Sequence, residues 1–498
     1  MNLLQQLDNS IRTHKSLRAF RIGSADYTYE QYLASINAIR AALRKQTSES
    51  EKNIGLAVND DVETYAAILA CWFEGRAYVP LNPAMPEDRN KEVIAQAEIL
   101  TIIDSSAESS FSGHKVIDSK TLMASESTSA PIEVSASDIA YIFFTSGTTG
   151  VPKGVPITFG NLSGFVEAYN KMPYHQMDDS DRVLQMFELT FDLSVMSYLL
   201  PLLNGAAVFT IPKDKVKYSY IFELMEDHEL TVALMVPSIL HYLRPYFSEI
   251  NCPSMRFSMF CGEALPLDVT EEWSKCIPNA RIANVYGPTE DTIFCTDYEF
   301  TRDGHNKSYN GVLSIGQSMH GNSTIIVDKD NSILSTGEKG ELCLGGVQLT
   351  PGYWKNPTKN AEAFFHTNHE GQENRFYRTG DLCSRDDEGD LSYLGRIDFQ
   401  TKIQGFRVEL SEIEFRAKEN LKMLNVVAVA FTNQLRNAEI GLIIESAAFD
   451  TKELMAYLAS KLPPYMVPSK IKFADVFPLN TNGKTDRKVL RLLFEKSK

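Results

Sequence analysis

Residues 141–155 read YIFFTSGTTGVPKGV. An apolar run of Tyr141, Ile142, Phe143 and Phe144 stops abruptly, and Thr145, Ser146, Gly147, Thr148, Thr149 and Gly150 follow, with Lys153 just beyond. A buried strand that ends in a Gly-rich turn can present backbone N–H groups to an anion, and hydroxyls add further donors. A nearby lysine neutralises charge. The spacing does not match G-x-x-x-x-G-K-[ST], so this is not the ordinary P-loop. Read without context, the same composition also describes a plain surface loop.

The flanking sequence has βαβ rhythm. NIGLAVND (53–60) reads as a buried strand, DVETYAAILACWFEG (61–75) as a helix stopped by Gly75, and AYVPLN and LTIIDS as further strands around the helical PEDRNKEVIAQAEI. This predicts a doubly wound α/β sheet over the first ~300 residues, with Ser/Thr-rich loops at 105–113 and 124–137. From ~300 to ~396 the short strands NSTIIVDKDN, KGELCLGG and GDLSYLGR predict a β-rich lobe. From ~399 a small α+β unit follows: TKIQGFRVEL, helix SEIEFRAKENL, strands NVVAVAFT and IGLIIES, and helix TKELMAYLASKL. The expected domains are therefore 1–397 and 398–498.

Bulk properties narrow the class. The chain has 498 residues, 43% of them hydrophobic and 23% charged, which suits a globular protein of more than one domain. There is no apolar run long enough for a membrane span and no signal-peptide pattern at the start, so a cytoplasmic monomer is expected. Seven scattered cysteines without a C-x-x-C pair, and nine histidines, supply neither a disulfide framework nor a metal-ligand spacing. A net charge of −15 argues against nucleic acid as partner. That charge is uneven: residues 399–498 hold 16 Lys and Arg against 11 Asp and Glu, a net of +5, leaving −20 elsewhere. Such a basic module suits an acidic protein partner, although local variation along a long chain also accounts for it.

The loop and its neighbours closely resemble the adenylate-forming ligases: acyl-CoA synthetases, luciferases and the adenylation domains of peptide synthetases. YTYEQY (27–32), EGRAYVPLNP (74–83), FDLS (191–194), NVYGPTED (284–291), GELCLGGVQLTPGYW (340–354), YRTGDL (377–382), GRIDFQTKIQGFRVELSEIE (395–414), LPPYMVP (462–468) and NGKTDR (482–487) follow in family order. The set resembles the amino-acid adenylation branch more than the CoA-ligase branch.

The resemblance implies a two-step reaction. A carboxylate attacks the α-phosphate of ATP to give an acyl-adenylate and pyrophosphate, and a thiol then displaces AMP. It implies that Thr145, Ser146, Gly147, Thr148, Thr149, Gly150 and Lys153 hold the β- and γ-phosphates in a mobile loop. Asn284, Tyr286, Gly287 and Thr289 lie at the nucleotide: Tyr286 stacks on adenine, Thr289 contacts the α-phosphate, and Glu290 holds Mg²⁺. In FCGEALP (260–266), Gly262, Glu263 and Ala264 supply backbone around the base. Asp381 binds the ribose hydroxyls and Arg396 reaches the same region. Lys484 bridges substrate carboxylate and α-phosphate during adenylation, from a small mobile domain that turns about Asp398 between half-reactions. Gly405, Phe406 and Arg407 then serve the thioester step. Taken alone, several of these stretches also read as turns: Gly-Pro in NVYGPTE, Asn-Gly in NGKTDR, and a β-turn at Gly405.

Two roles are open to Asp192. It is placed to N-cap the helix LSVMSYLLPLLNG, and by resemblance it pairs with a substrate α-ammonium. The third residue on is Val195, so no capping box supports the first role. Motif offsets assign the pocket wall to Leu193, Met196, Met235, Met259, Cys261, Val285, Ile293 and Phe294, which are apolar and lack a second carboxylate or an arginine. FCGEALP with FDLSVM is most similar to the D-alanine–carrier protein ligases, while Glu188 and Ser197 depart from that pattern. The expectation is an ATP- and Mg²⁺-dependent amino acid–carrier protein ligase for a small or medium apolar amino acid, D-alanine included. Its thiol would be the phosphopantetheine of a separate acidic carrier. The alternative is an acyl- or aryl-CoA ligase for acids without an amino group.

Overall fold

The structure, a computed structural model, describes all residues except 1, 124–128, 148–150, 173–175, 398–399, 422–423, 479–484 and 496–498. Its contacts divide it into two compact units. One comprises Met1–Asn82, Ile94–Phe143 and Gly154–Gly395; the other comprises Pro83–Val93, Phe144–Lys153 and Arg396–Lys498.

The first unit is doubly wound α/β with a β-rich lobe, as its sequence rhythm predicts. Among the described residues it has a nine-stranded sheet and a six-stranded sheet. In the six-stranded sheet the strands Asn53–Ala57, Ala77–Leu81 and Thr101–Asp104 run parallel. The fully buried pattern of Ala77–Leu81 is that of a strand covered on both faces. Between the first two strands, helix Val62–Phe73 starts at Asp61, whose side chain accepts the Thr64 N–H, and the chain leaves it through Gly75 at φ +64°. The core of the nine-stranded sheet is also parallel: Arg182–Gln185, Val232–Met235, Phe257–Phe260 and Arg281–Tyr286 pair in register. Ligand sites in such sheets form at the carboxyl ends of the strands. The β-rich lobe contains Asn322–Val327, Lys339–Gly346 and the long strand Gln372–Arg385.

In the second unit, hairpin Gln400–Ile403/Phe406–Glu409 precedes helix Leu410–Leu421, and the antiparallel strands Val426–Thr432 and Ala438–Glu445 join Lys470–Ala474 in a sheet. Segment Pro83–Val93 is tied into this unit by ion pairs: Arg89 to Glu412 at 3.0 Å and Lys461 to Asp88 at 2.5 Å. All seven cysteines are buried free thiols. Among the described residues no helix is long and apolar enough to cross a membrane.

Candidate active site

Strand Arg281–Tyr286 ends in a tight loop that holds several of the candidate residues. Gly287 is required there, because a Cβ would lie 2.4 Å from the Phe294 Cα. The loop closes with the Cys295 N–H on the Tyr286 carbonyl. Between them Thr292 and Ile293 adopt φ of +50° and +75°, a costly conformation for branched side chains. Gln348 stabilises it: fully buried, its amide donates to the carbonyls of Asp291, Thr292 and Phe294, and the Thr292 hydroxyl returns a bond to the Gln348 carbonyl.

Tyr286 donates a hydrogen bond of 2.5 Å to Asp381. Burial, and then the Asp381 charge, hold the Tyr286 phenol protonated well above its ordinary range. Asp381 reaches this position through a bulge. Opposite Glu341 and Cys343 the partner strand holds Leu382 and Arg378, so extra residues loop out, and Gly380 takes φ +71°. The Thr379 hydroxyl donates to the Leu342 carbonyl and accepts the Asp381 N–H, which fixes the bulge.

Glu290 is wholly buried on the short turn Thr289–Asp291. Its Oε1 accepts the Tyr353 hydroxyl at 2.6 Å, and its carbonyl accepts the Thr350 N–H. Among the described residues no group of three or more His, Cys, Asp or Glu could hold a metal. A single carboxylate still fits a hard cation that completes its shell with phosphate oxygens and water. Asp291, next in the chain, is wholly buried too, and burial pushes its carboxyl up to about 7, against a smaller opposing effect of the Cys295 thiol.

The residues expected to wall the amino-acid pocket lie on or next to parallel strands and on one helix. Met235, Met259, Cys261 and Val285 come from three adjacent parallel strands or the residue just beyond them, and Leu193 and Met196 from helix Leu193–Asn204. With Ile293 and Phe294 they are each at most 2% exposed. Asp192 precedes that helix, is 3% exposed, and its side chain makes no capping hydrogen bond. Its charge adds to burial in raising the phenols of Tyr141 and Tyr78.

Other predicted residues have visible work within the fold. The Asn284 amide donates to the carbonyls of Leu313 and Ser314. The Glu263 carboxylate accepts the Ser238 N–H at the start of helix Ser238–Leu243, while Gly262 turns at φ +94° and Ala264 is exposed.

The phosphate-loop candidates group with the second unit, apart from the residues above. There the Ser146 hydroxyl donates to the Arg407 carbonyl at 2.8 Å, and the Thr145 Oγ1 lies 3.5 Å from the Lys153 carbonyl. Lys153 Nζ lies 4.0 Å from Glu409, whose Oε1 also accepts the Gln400 amide. A Cβ on Gly147 would overlap the Val151 carbonyl. Arg396 ends strand Leu391–Arg396 and begins this unit's last segment. Thr148, Thr149, Gly150, Asp398 and Lys484 lie outside the described residues.

Residues 7–354 match the profile of the AMP-binding enzyme family. The chain belongs to that family. D-alanine--D-alanyl carrier protein ligase of Bacillus licheniformis is 30% identical to it over 507 residues, spanning 99% of both chains. Tyrocidine synthase 1 of Brevibacillus parabrevis is 30% identical over 472 residues, 93% of this chain but 42% of that longer protein. Among solved structures, the Vibrio cholerae adenylation domain AlmE in complex with glycyl-adenosine-5'-phosphate superposes with a TM-score of 0.88 at 25% identity, covering 99% of this chain and 98% of that one. This AMP-binding enzyme is thus an ATP-using adenylate-forming ligase, with amino-acid-adenylating homologues.

Sequence reading passed over Tyr353, Tyr377 and Gln348. All three sit inside quoted motifs, GELCLGGVQLTPGYW and YRTGDL, without a role, and nothing local marks Tyr353 as the partner of Glu290.

Proposed function

We propose that this enzyme activates a small α-amino acid, of glycine or alanine size, as its aminoacyl-adenylate. It then transfers the aminoacyl group to the phosphopantetheine thiol of a separate carrier protein. Asp192 carries the reading. A carboxylate this deeply buried beside apolar side chains is costly unless a cation or donors meet it, and a substrate ammonium is such a partner. Its side chain makes no helix-cap hydrogen bond. The wall is apolar, with every wall residue at most 2% exposed, which suits an apolar substrate side chain. The glycine-to-alanine size rests on the relatives: the D-alanine ligase and the glycyl-adenylate complex of the structural neighbour.

In the first step a carboxylate oxygen of the amino acid attacks the α-phosphorus of ATP, and the bond to pyrophosphate breaks. Tyr286 supplies a face for adenine, and Asp381, aimed by its bulge and held by Tyr286, accepts the ribose hydroxyls. Mg²⁺, on Glu290, would offset charge on the phosphates. Ser146, Gly147 and Lys153 donate to the departing pyrophosphate, and Lys484 to the α-phosphate and carboxylate. In the second step the carrier thiolate attacks the acyl carbon and AMP leaves. Domains 1–397 and 398–498 divide these tasks, and the basic charge of the latter suits an acidic carrier.

ATP–pyrophosphate exchange with a panel of D- and L-amino acids, β-alanine and fatty and aryl acids tests the proposal. Exchange should be confined to glycine and small α-amino acids and lost in Asp192→Ala. Exchange with acids lacking an amino group would overturn it in favour of acyl-ligase activity.

A further inference from the structure

Glu290 is held by more than its own turn. The segment from Gln348 to Tyr353 grips the Tyr286–Cys295 loop at several points: Gln348 on three carbonyls, the Thr350 N–H on the Glu290 carbonyl, and the Tyr353 hydroxyl on the Glu290 carboxylate itself. The Tyr353 phenol is fixed in turn. Its oxygen lies 3.3 Å from that of Tyr377, and Phe364 packs on both rings with centroids 5.9 and 5.2 Å away. Its backbone is clasped on both sides by Asn360, which accepts the Tyr353 N–H and donates to the Tyr353 carbonyl. Both phenols are buried, at 5% and 1% exposure.

A phenol has one proton to give. With the Tyr353 proton committed to Glu290, the proton between the two phenols must come from Tyr377, so the bonds run in one direction, from Tyr377 to Tyr353 to the carboxylate. Chains of this kind polarise, and a 2.6 Å bond to a carboxylate is charge-assisted. The effect is to fix one oxygen and the rotation of the carboxylate.

We infer that Tyr353, backed by Tyr377, is a positioning residue that aims the Glu290 carboxylate at the metal–triphosphate. The inference rests on the proposed reading of Glu290 as the Mg²⁺ ligand. Partners in the outer shell of a metal ligand typically affect metal affinity by about 10- to 100-fold.

The test is calorimetric binding of ATP to the full-length enzyme across a Mg²⁺ titration, with metal-free ATP as reference. Tyr353→Phe should raise the Mg²⁺ concentration for half-maximal enhancement of ATP binding by about 10-fold. Metal-free ATP binding and the amino-acid KM should not change. Tyr377→Phe should shift the same midpoint in the same direction by a smaller factor, and it carries the test if Tyr353→Phe yields too little folded protein. A Tyr353→Phe enzyme with a lower Tm but an unchanged Mg²⁺ midpoint overturns the inference and makes the phenol purely structural. Glu290→Gln separates the two claims. If it leaves the Mg²⁺ dependence intact, the metal reading fails. If it abolishes the dependence while both tyrosine variants behave as wild type, only the inference fails.

Discussion

The Tyr286 phenol and the Asp381 carboxylate, 95 positions apart in sequence, share a hydrogen bond of 2.5 Å. One is the proposed platform for the base and the other the proposed acceptor for the ribose, so the two halves of the nucleoside site are set against each other before ATP arrives. Tyr286→Phe should raise the KM for ATP about 10-fold, since a charge-assisted bond is worth roughly 1.5–3 kcal/mol and its loss loosens the carboxylate. A double-mutant cycle with Asp381→Asn should show a coupling of at least about 1 kcal/mol. Additive effects would mean that the two residues act independently.

Widening the amino-acid pocket should change substrate choice. Met259→Ala or Met235→Ala removes a wholly buried side chain from the wall. Pyrophosphate exchange should then extend to valine- or leucine-sized amino acids, at a stability cost of about 2–5 kcal/mol. Unchanged preference in both variants would place the specificity elsewhere.

Asp291 predicts a pH-dependent stability. Its carboxyl is near its ordinary range when unfolded and at about 7 when folded. The folded state therefore resists its ionisation. Stability is full below about pH 4, falls as pH rises toward 7, and is level above that. In metal-free protein, Asp291→Asn should lose this slope. It should gain on wild type by up to about 4 kcal/mol between pH 4 and pH 8 in denaturant titrations. A parallel pH profile for the two proteins would refute the assignment.

Gln404 and Gly405 form a two-residue hairpin loop, at φ +52° and +86°, between the paired Ile403 and Phe406. Both φ values are positive, which is the pattern of a turn that favours Asn-Gly. Gln404→Asn should raise stability by a few tenths of a kcal/mol, and Gly405→Ala should lower it by about 1–2 kcal/mol. If this turn serves only the thiol step, Gly405→Ala leaves pyrophosphate exchange unchanged while slowing aminoacyl transfer. Equal losses in both assays would assign the turn to adenylation as well.

What the sequence made legible follows its local character. The buried strand Asn53–Ala57 and the helix Val62–Phe73 were readable because their burial is periodic or continuous and their ends carry Asp61 and Gly75. Asp192 stood out as a carboxylate beside an apolar wall. The Tyr353–Glu290 bond was not legible, because it joins residues 63 apart and a tyrosine after Gly352 reads as ordinary core. Nor was the grouping of Pro83–Val93 with the C-terminal segment. It depends on pairs such as Arg89 and Glu412, 323 positions apart, whereas the helix pattern of 87–96 looks the same whichever partner it has.

The loop from Tyr286 to Cys295 has a consequence for redesign. Within ten positions it carries the proposed base platform, the proposed metal carboxylate and two proposed wall residues, Ile293 and Phe294, and it is locked in a left-handed bend by Gln348. A mutation at Ile293 made to admit a new amino acid therefore drags on nucleotide geometry as well. Selectivity and turnover are mechanically linked there. At Met235 and Met259, on strands of their own, the two can be tuned apart, so libraries aimed at new building blocks belong on those strands.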